Sequence, residues 1–458
     1  MAGGDLSRLP AVNELLAIIE NASPGIPHAL ARRAARAVLA RARASIRDGG
    51  SPVEDIGRVA VEEASAMART SLGPVINATG IVLHTAFGRA ALSDSAAEAV
   101  SSAARGFCSL QWDWETGARG NRDSHVEGLI CELTGAEAAT VVNNNAGATL
   151  LALSALTAGR EVVVSRGQLV EIGGSFRIPD VMKQSGAIMR EVGCTNRTHL
   201  KDYASAIGPE TAMLLRVHPS NYRIRGFSSE VPLEDLVALG SETGIPVMDD
   251  LGAGSLVDLS LFGLPPEPTI PMSIRAGAAL VTSSGDKLIG GPQAGIIAGR
   301  RDLVSIIRKH PLARALRVCK LTLAALEATL KIFLEEPGYV RTNHPVYAML
   351  AADPEVLDER VAGLIGMLRL PAVCTVSASS MDSFVGSGAL PDSAIPSRGV
   401  VIDSPDCGAL AAALRRCTPA VAGRLENGRL YLDLRTVLPG QLEILAVKVS
   451  GAAGELWA

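Results

Sequence analysis

The chain is 458 residues long, 48% hydrophobic and 20% charged, with a net charge of -4, which excludes a disordered chain and a generally basic nucleic-acid-binding protein. That length requires two or three domains, and an aromatic share of 3% leaves Ala, Val, Leu and Ile to fill their cores. Apolar runs are broken well short of about 20 residues and the N-terminus lacks the basic start and apolar stretch of a signal peptide, so a cytoplasmic protein without a membrane span is expected. Seven cysteines are scattered without a Cys-x-x-Cys pair or a His at zinc spacing, and no metal site is expected.

Residues 1–73 read as a small helical domain. Pro10 sits close to the start of a first helix, residues 21–27 break it, and residues 28–47 form an Ala-rich helix. That helix carries Arg32, Arg33, Arg36, Arg41, Arg43 and Arg47 and no acid. Such a face is either a solvated surface or a contact for a phosphate backbone. Residues 48–52 stop the helix and helical spacing resumes over 53–71.

From Pro74 short apolar strands alternate with helical stretches, the pattern of an α/β domain with a mostly parallel sheet, expected over 74–337. Gly88-Arg89 precedes a helix at 94–105, and a loop at 116–122 holds Arg119 and Arg122 around Gly120, either a plain turn or an anion clamp. A strand at 138–142 runs into Asn143-Asn144-Asn145-Ala146-Gly147-Ala148-Thr149 at the head of a helix. Free N–H groups of Asn145, Ala146 and Gly147 there suit a single phosphate, and neither GxGxxG nor GxxxxGK is present. His218 follows a strand at 212–217; a lone His there is more often structural than catalytic. Asp249 and Asp250 fall at the C-terminal end of the next strand, where open parallel sheets place their ligands. Either is a turn carboxylate or the partner of a pyridine-ring nitrogen, with Asp250 the first choice.

Residues 281–295 concentrate the chemistry. Thr282, Ser283 and Ser284 precede Lys287, and Gly290-Gly291 follows, with apolar strands expected at 278–281 and 294–298. A lysine on such a connection can form a Schiff base with an aldehyde cofactor whose phosphate Ser284 binds. The alternative is a surface turn with a solvated lysine. The order of phosphate loop, strand-end Asp and lysine resembles the aspartate-aminotransferase-like class of pyridoxal phosphate enzymes, fold type I. Arg314 and Arg317 share a helix face, and beyond residue 338 a smaller α/β domain runs to 458.

Several longer motifs carry a narrower resemblance. Leu-Pro-Ala-Val-Asn-Glu-Leu-Leu (9–16), Glu-Ile-Gly-Gly-Ser-Phe-Arg-Ile-Pro-Asp-Val (171–181), Asp-Leu-Gly-Ala-Gly-Ser-Leu-Val-Asp-Leu (250–259), Ser-Gly-Asp-Lys-Leu-Ile-Gly-Gly-Pro-Gln-Ala-Gly (284–295) and Arg-Ala-Leu-Arg-Val (314–318) resemble the bacterial selenocysteine synthases, L-seryl-tRNA(Sec) selenium transferases. The likeness covers almost the whole chain. It implies a decameric pyridoxal 5'-phosphate enzyme with an N-terminal tRNA-binding domain, which converts seryl-tRNA(Sec) to selenocysteinyl-tRNA(Sec) through an aminoacrylyl-tRNA, using selenophosphate. It implies Lys287 as the Schiff-base lysine, Arg89, Arg314 and Arg317 as donor-binding arginines, and Arg119 and Arg122 in a matching basic loop. The chain departs from that family at Ala86-Phe87, Asn121 and Cys319, the last replacing an Asp. Competing expectations are a related lyase acting on a small phosphorylated amino sugar or amino acid, and a silent tRNA-binding relative.

Overall fold

In the computed structural model, which describes residues 6–49, 55–173, 176–222, 224 and 226–457, the chain divides into two units, Met1–Pro74 and Val75–Ala458. The first holds three helices, α1 (Val12–Ala22), α2 (His28–Arg47) and α3 (Ile56–Ala68). In α2 the buried positions Ala31, Ala34, Ala35, Val38, Leu39, Ala42 and Ile46 recur at helical spacing. Burial of Val38, Leu39 and Ile46 contributes roughly 1.5–3 kcal/mol each. All six arginines lie on the other, exposed face. Arg41 pairs with Glu63 at 2.6 Å and Arg32 bonds His28 at 2.8 Å, whereas Arg33, Arg36, Arg43 and Arg47 have no ion pair among the described residues. The expected stop at 48–52 lies outside the described residues from position 50 on.

The second unit is built on a seven-stranded sheet of β1 (Ala138–Val142), β2 (Glu161–Ser165), β3 (Ile188–Val192), β4 (Thr211–Val217), β5 (Val247–Gly252), β6 (Leu280–Ser284) and β7 (Gly295–Gly299). Their spatial order is β1-β7-β6-β5-β4-β2-β3. Only β7 runs antiparallel to its neighbours. The Val162-Val163-Val164 run is wholly buried, as expected of a parallel strand covered on both faces. Because β4, β5 and β6 pair in parallel, their C-terminal ends lie at one end of the sheet, where Asn145 at the head of α4 (Asn145–Thr157) reaches Asp250.

After α5 (Lys320–Ile332) and α6 (Pro345–Leu350), the chain forms a four-stranded antiparallel sheet with helices α7 (Pro354–Met367), α8 (Cys407–Arg416) and α9 (Leu442–Trp457). Its strands are β8 (Thr375–Gly386), β9 (Ala389–Asp403), β10 (Arg424–Glu426) and β11 (Arg429–Asp433). The β8–β9 hairpin is long, pairing Thr375 with Asp403 at its base and Gly386 with Ala389 at its tip. Polar residues on its exposed face hide it from a hydrophobic reading.

Residues 338–458 group with the central sheet rather than separating from it. The physical link is visible. Val75–Asn77 pairs in parallel with Ala420–Ala422, and Val385, Ala389, Leu390 and Ile395 of the hairpin join the core beneath the central sheet.

Candidate active site

Lys287 lies on the connection between β6 and β7, with its side chain buried. The strands extend further than expected: Thr282, Ser283 and Ser284 belong to β6 itself. Side chains alternate across the sheet, so Thr282 and Ser284 reach one face while the Ser283 hydroxyl donates to Gly254 O at 3.1 Å on the other. The turn is tight. Gly285 N donates to Ala294 O at 2.8 Å, Gly290 N to Lys287 O at 2.9 Å and Gly291 N to Gly285 O at 2.8 Å.

A cavity of about 290 Å³ opens at the lysine, lined among others by Arg89, Asn144, Asn145, Ala146, Asp250, Ser284, Asp286 and Lys287. Asp250 is fully enclosed on β5. Its carboxylate accepts from Asn145 Nδ2 at 2.8 Å, Thr282 Oγ1 at 3.0 Å, Thr149 Oγ1 at 3.1 Å and Gly252 N at 3.3 Å. Burial raises its pKa and these four bonds oppose the rise. No basic side chain among the described residues pairs with it.

The expectation that Asp249 also meets the cofactor is corrected. As the neighbouring strand residue it faces the opposite side of the sheet, where Arg216 holds it at 2.8 Å and Ser273 Oγ donates at 2.6 Å.

The helix-head site is similarly narrowed. Asn144 caps α4 by accepting from Gly147 N at 2.8 Å, which consumes the N–H expected to bind phosphate. Gly147 lies outside the cavity, and a Cβ there would meet Leu316 Cδ2 at 3.3 Å. Asn145 and Ala146 remain on the cavity wall, and Asn145 Oδ1 is buried without a partner.

Arg89 adopts a left-handed backbone with φ +65°, a conformation that non-glycine residues hold only when the surroundings enforce it. Its Nη1 donates to Asp286 Oδ2 at 2.6 Å, while its buried Nε lacks a partner. Burial first, and the Arg89 charge second, lower the Lys287 pKa.

The donor-binding arginines that the resemblance implies, Arg89, Arg314 and Arg317, do not share one cavity, nor do the two of the basic loop, Arg119 and Arg122. Arg122, Arg314 and Arg317 line a second one, about 360 Å³, together with Arg308. Arg122 is committed there, with Nη1 donating to Val318 O at 2.7 Å and Nη2 to Gln111 Oε1 at 2.9 Å. Burial and the nearby Arg317 charge lower its pKa. Arg308 joins Glu127 at 2.7 Å and Asp123 at 3.2 Å. Arg119 is exposed and lines neither cavity. Cys319 occupies the N-cap of α5, where the Thr322 backbone N–H lowers its thiol pKa.

Three contributors are not apparent from the sequence. Gln293 lines the cavity from the far end of the lysine turn. From α6, the Tyr347 hydroxyl donates to Leu288 O at 2.9 Å, and at the N-cap of that helix His344 Nε2 donates to Ile289 O at 3.0 Å. Neither clamp has a local sequence signal, since each depends on a helix more than fifty residues away. His218, whose place at a strand end more often marks a structural role, lies on the cavity wall.

The residues present suit pyridoxal phosphate. An enclosed lysine faces a buried acid that lacks a counter-cation, beside a helix head and the Ser284 hydroxyl.

Comparison with known proteins agrees with the motifs. Residues 75–438 match the SelA family, L-seryl-tRNA selenium transferase. An L-seryl-tRNA(Sec) selenium transferase of Moorella thermoacetica is 52% identical over 418 residues, covering 90% of this chain and 89% of that protein. One from Rhizobium meliloti (strain 1021) is 46% identical over 462 residues, covering 98% of each. Among solved structures, a D-glucosaminate-6-phosphate ammonia-lyase superimposes with a TM-score of 0.57 at 20% identity, covering 84% of this chain and 96% of that one. This last likeness speaks to the fold. With the motifs, the site geometry and near-complete coverage in agreement, the chain belongs to the L-seryl-tRNA selenium transferase family.

Proposed function

We propose that this protein converts seryl-tRNA(Sec) to selenocysteinyl-tRNA(Sec), taking selenium from selenophosphate, with pyridoxal 5'-phosphate held at Lys287. The observation that carries the reading is the enclosed Lys287 facing the unpaired, buried Asp250 in a chain 46–52% identical to such transferases over most of its length. When bound, the cofactor supplies an electron sink for charge that develops as the seryl α-proton leaves.

Lys287 is the base for that proton. Burial and Arg89 favour its neutral amine, the form that accepts a proton. Asp250, oriented by Asn145, Thr149 and Thr282, is the counter-charge for a protonated ring nitrogen. Ser284 and the backbone N–H groups of Asn145 and Ala146 are assigned to the phosphate. Arg89, braced by Asp286, offers its remaining donors to an anionic selenium donor. Arg122, Arg314 and Arg317 are assigned to substrate anions, Arg119 to the rim of that basic region, and the unpaired arginines of α2 to tRNA phosphates. We assign the protein to the cytoplasm and to a homo-oligomer, a decamer by family resemblance. No described helix is long and apolar enough to cross a membrane.

The ammonia-lyase likeness, at 20% identity, supports no rival substrate. The test is turnover: cofactor-loaded protein with seryl-tRNA(Sec) and selenophosphate should form selenocysteinyl-tRNA(Sec), and Lys287→Ala should lose both this product and the visible absorbance of a lysine-bound cofactor. Persistence of that absorbance in Lys287→Ala would sink the assignment of the lysine.

A further inference from the structure

We propose, resting on the reaction assigned above, that His218, oriented by Glu267, is the acid that protonates the serine hydroxyl as it departs. His218 directly follows β4. Its backbone N–H donates to Asp250 O at 2.9 Å, in the register that pairs Val217 with Asp250. His218 therefore stands at the strand end next to Asp250 and lines the Lys287 cavity. Its Nε2 donates to Glu267 Oε2 at 3.0 Å, and the Glu267 side chain is only 7% exposed. A carboxylate that fixes one imidazole nitrogen leaves the other free to exchange a proton and stabilises the imidazolium.

The chemistry requires such a group. Hydroxide is a poor leaving group, so the oxygen must gain a proton as its bond breaks. Among the other charged groups on the cavity wall, Asp250 accepts four hydrogen bonds and Asp286 is tied to Arg89 at 2.6 Å, while Lys287, an ammonium once it has taken the α-proton, is the competing donor that wild-type hydroxide loss in both His218 variants would reveal. A guanidinium does not give up its proton. In the step itself the Cβ–O bond breaks and its electron pair stays on oxygen. The pair left by the α-proton forms the Cα–Cβ double bond. The proton on the imidazole nitrogen not bonded to Glu267 moves to the oxygen, water leaves, and His218 becomes neutral.

The test compares two leaving groups on tRNA(Sec), one charged with serine and one with β-chloroalanine, whose chloride departs without a proton. In cofactor-loaded His218→Asn, the visible band of the lysine-bound cofactor and exchange of the seryl α-hydrogen in deuterated water should match wild type. Hydroxide loss in a single turnover should slow about 100-fold or more, with chloride loss unchanged. Glu267→Gln should show the same dependence on leaving group to a smaller degree, and His218→Gln serves if the Asn variant folds poorly. Equal slowing of both leaving groups would reduce His218 to a structural role and overturn the proposal; so would wild-type hydroxide loss in both His218 variants. Wild-type protein that makes no selenocysteinyl-tRNA(Sec) would instead overturn the functional reading, and this inference with it.

Discussion

Gly290 offers a quantitative check on how the lysine turn is held. Its φ of +67° lies in the left-handed region, and a Cβ built there would stand 2.1 Å from His344 Cε1 and 2.7 Å from His344 Nε2. His344 cannot simply swing aside, because it is 1% exposed and donates to Ile289 O at 3.0 Å. In Gly290→Ala the left-handed backbone costs about 1–2 kcal/mol and displacement of a packed ring about 1–3 kcal/mol. Together these predict a loss of about 2–5 kcal/mol, read by urea titration of the cofactor-free protein. In a His344→Ala background the steric part disappears, so the same substitution should cost only about 1–2 kcal/mol. The shifted turn also carries Lys287. Affinity for pyridoxal phosphate, which bonds the lysine, should therefore fall more than affinity for pyridoxamine phosphate, which does not. Equal costs of Gly290→Ala in the two backgrounds would refute contact with His344 as the cause.

Three further outcomes follow from the site. Because burial raises the Asp250 pKa in the native state, its favourable protonated form is fully populated below the unfolded carboxyl value and lost as pH rises through the native one. Asp250→Asn should thus raise the thermal midpoint of the cofactor-free protein at neutral pH, with the gain fading in acid, while removing much of the stabilisation that added cofactor confers. Arg89→Gln removes a charge that lowers the Lys287 pKa and frees Asp286, which raises it; the pH midpoint for bonding pyridoxal phosphate, followed by absorbance, should move upward. If α2 grips tRNA phosphates, replacing Arg33 and Arg36 by Ala should weaken tRNA(Sec) binding and flatten its log–log salt dependence by about 1 per lost phosphate contact. An unchanged slope would remove these two arginines from the interface.

The local elements were largely legible because each has a period or a punctuation mark of its own. The helix expected at 94–105 is Asp94–Arg105 and the strand expected at 138–142 is Ala138–Val142. The limits lie where a side chain's partner comes from far along the chain. Two adjacent aspartates look alike in sequence, yet Arg216 and Ser273 engage Asp249 while Asn145, Thr149 and Thr282 converge on Asp250. Gly147 sits at the right helix head, but Asn144 reaches its N–H first. The polar β8–β9 hairpin lacks a continuous apolar run, and only its far end enters the central core.

Order along the chain was enough to name the chemistry: a helix-head loop, a strand-end acid and a lysine among glycines, with family motifs to narrow it. Covalent order and side-chain type are local properties, and they survive without coordinates. Direction and distance are not local. Strand alternation turned Asp249 away and Asp250 inward, the turn between β6 and β7 buried Lys287 under the clamp of His344 and Tyr347, and folding put Arg89 in one cavity and Arg122, Arg314 and Arg317 in another. The same folding set His218 against Glu267, 49 residues away, and so gave a histidine without a sequence signal a chemical environment.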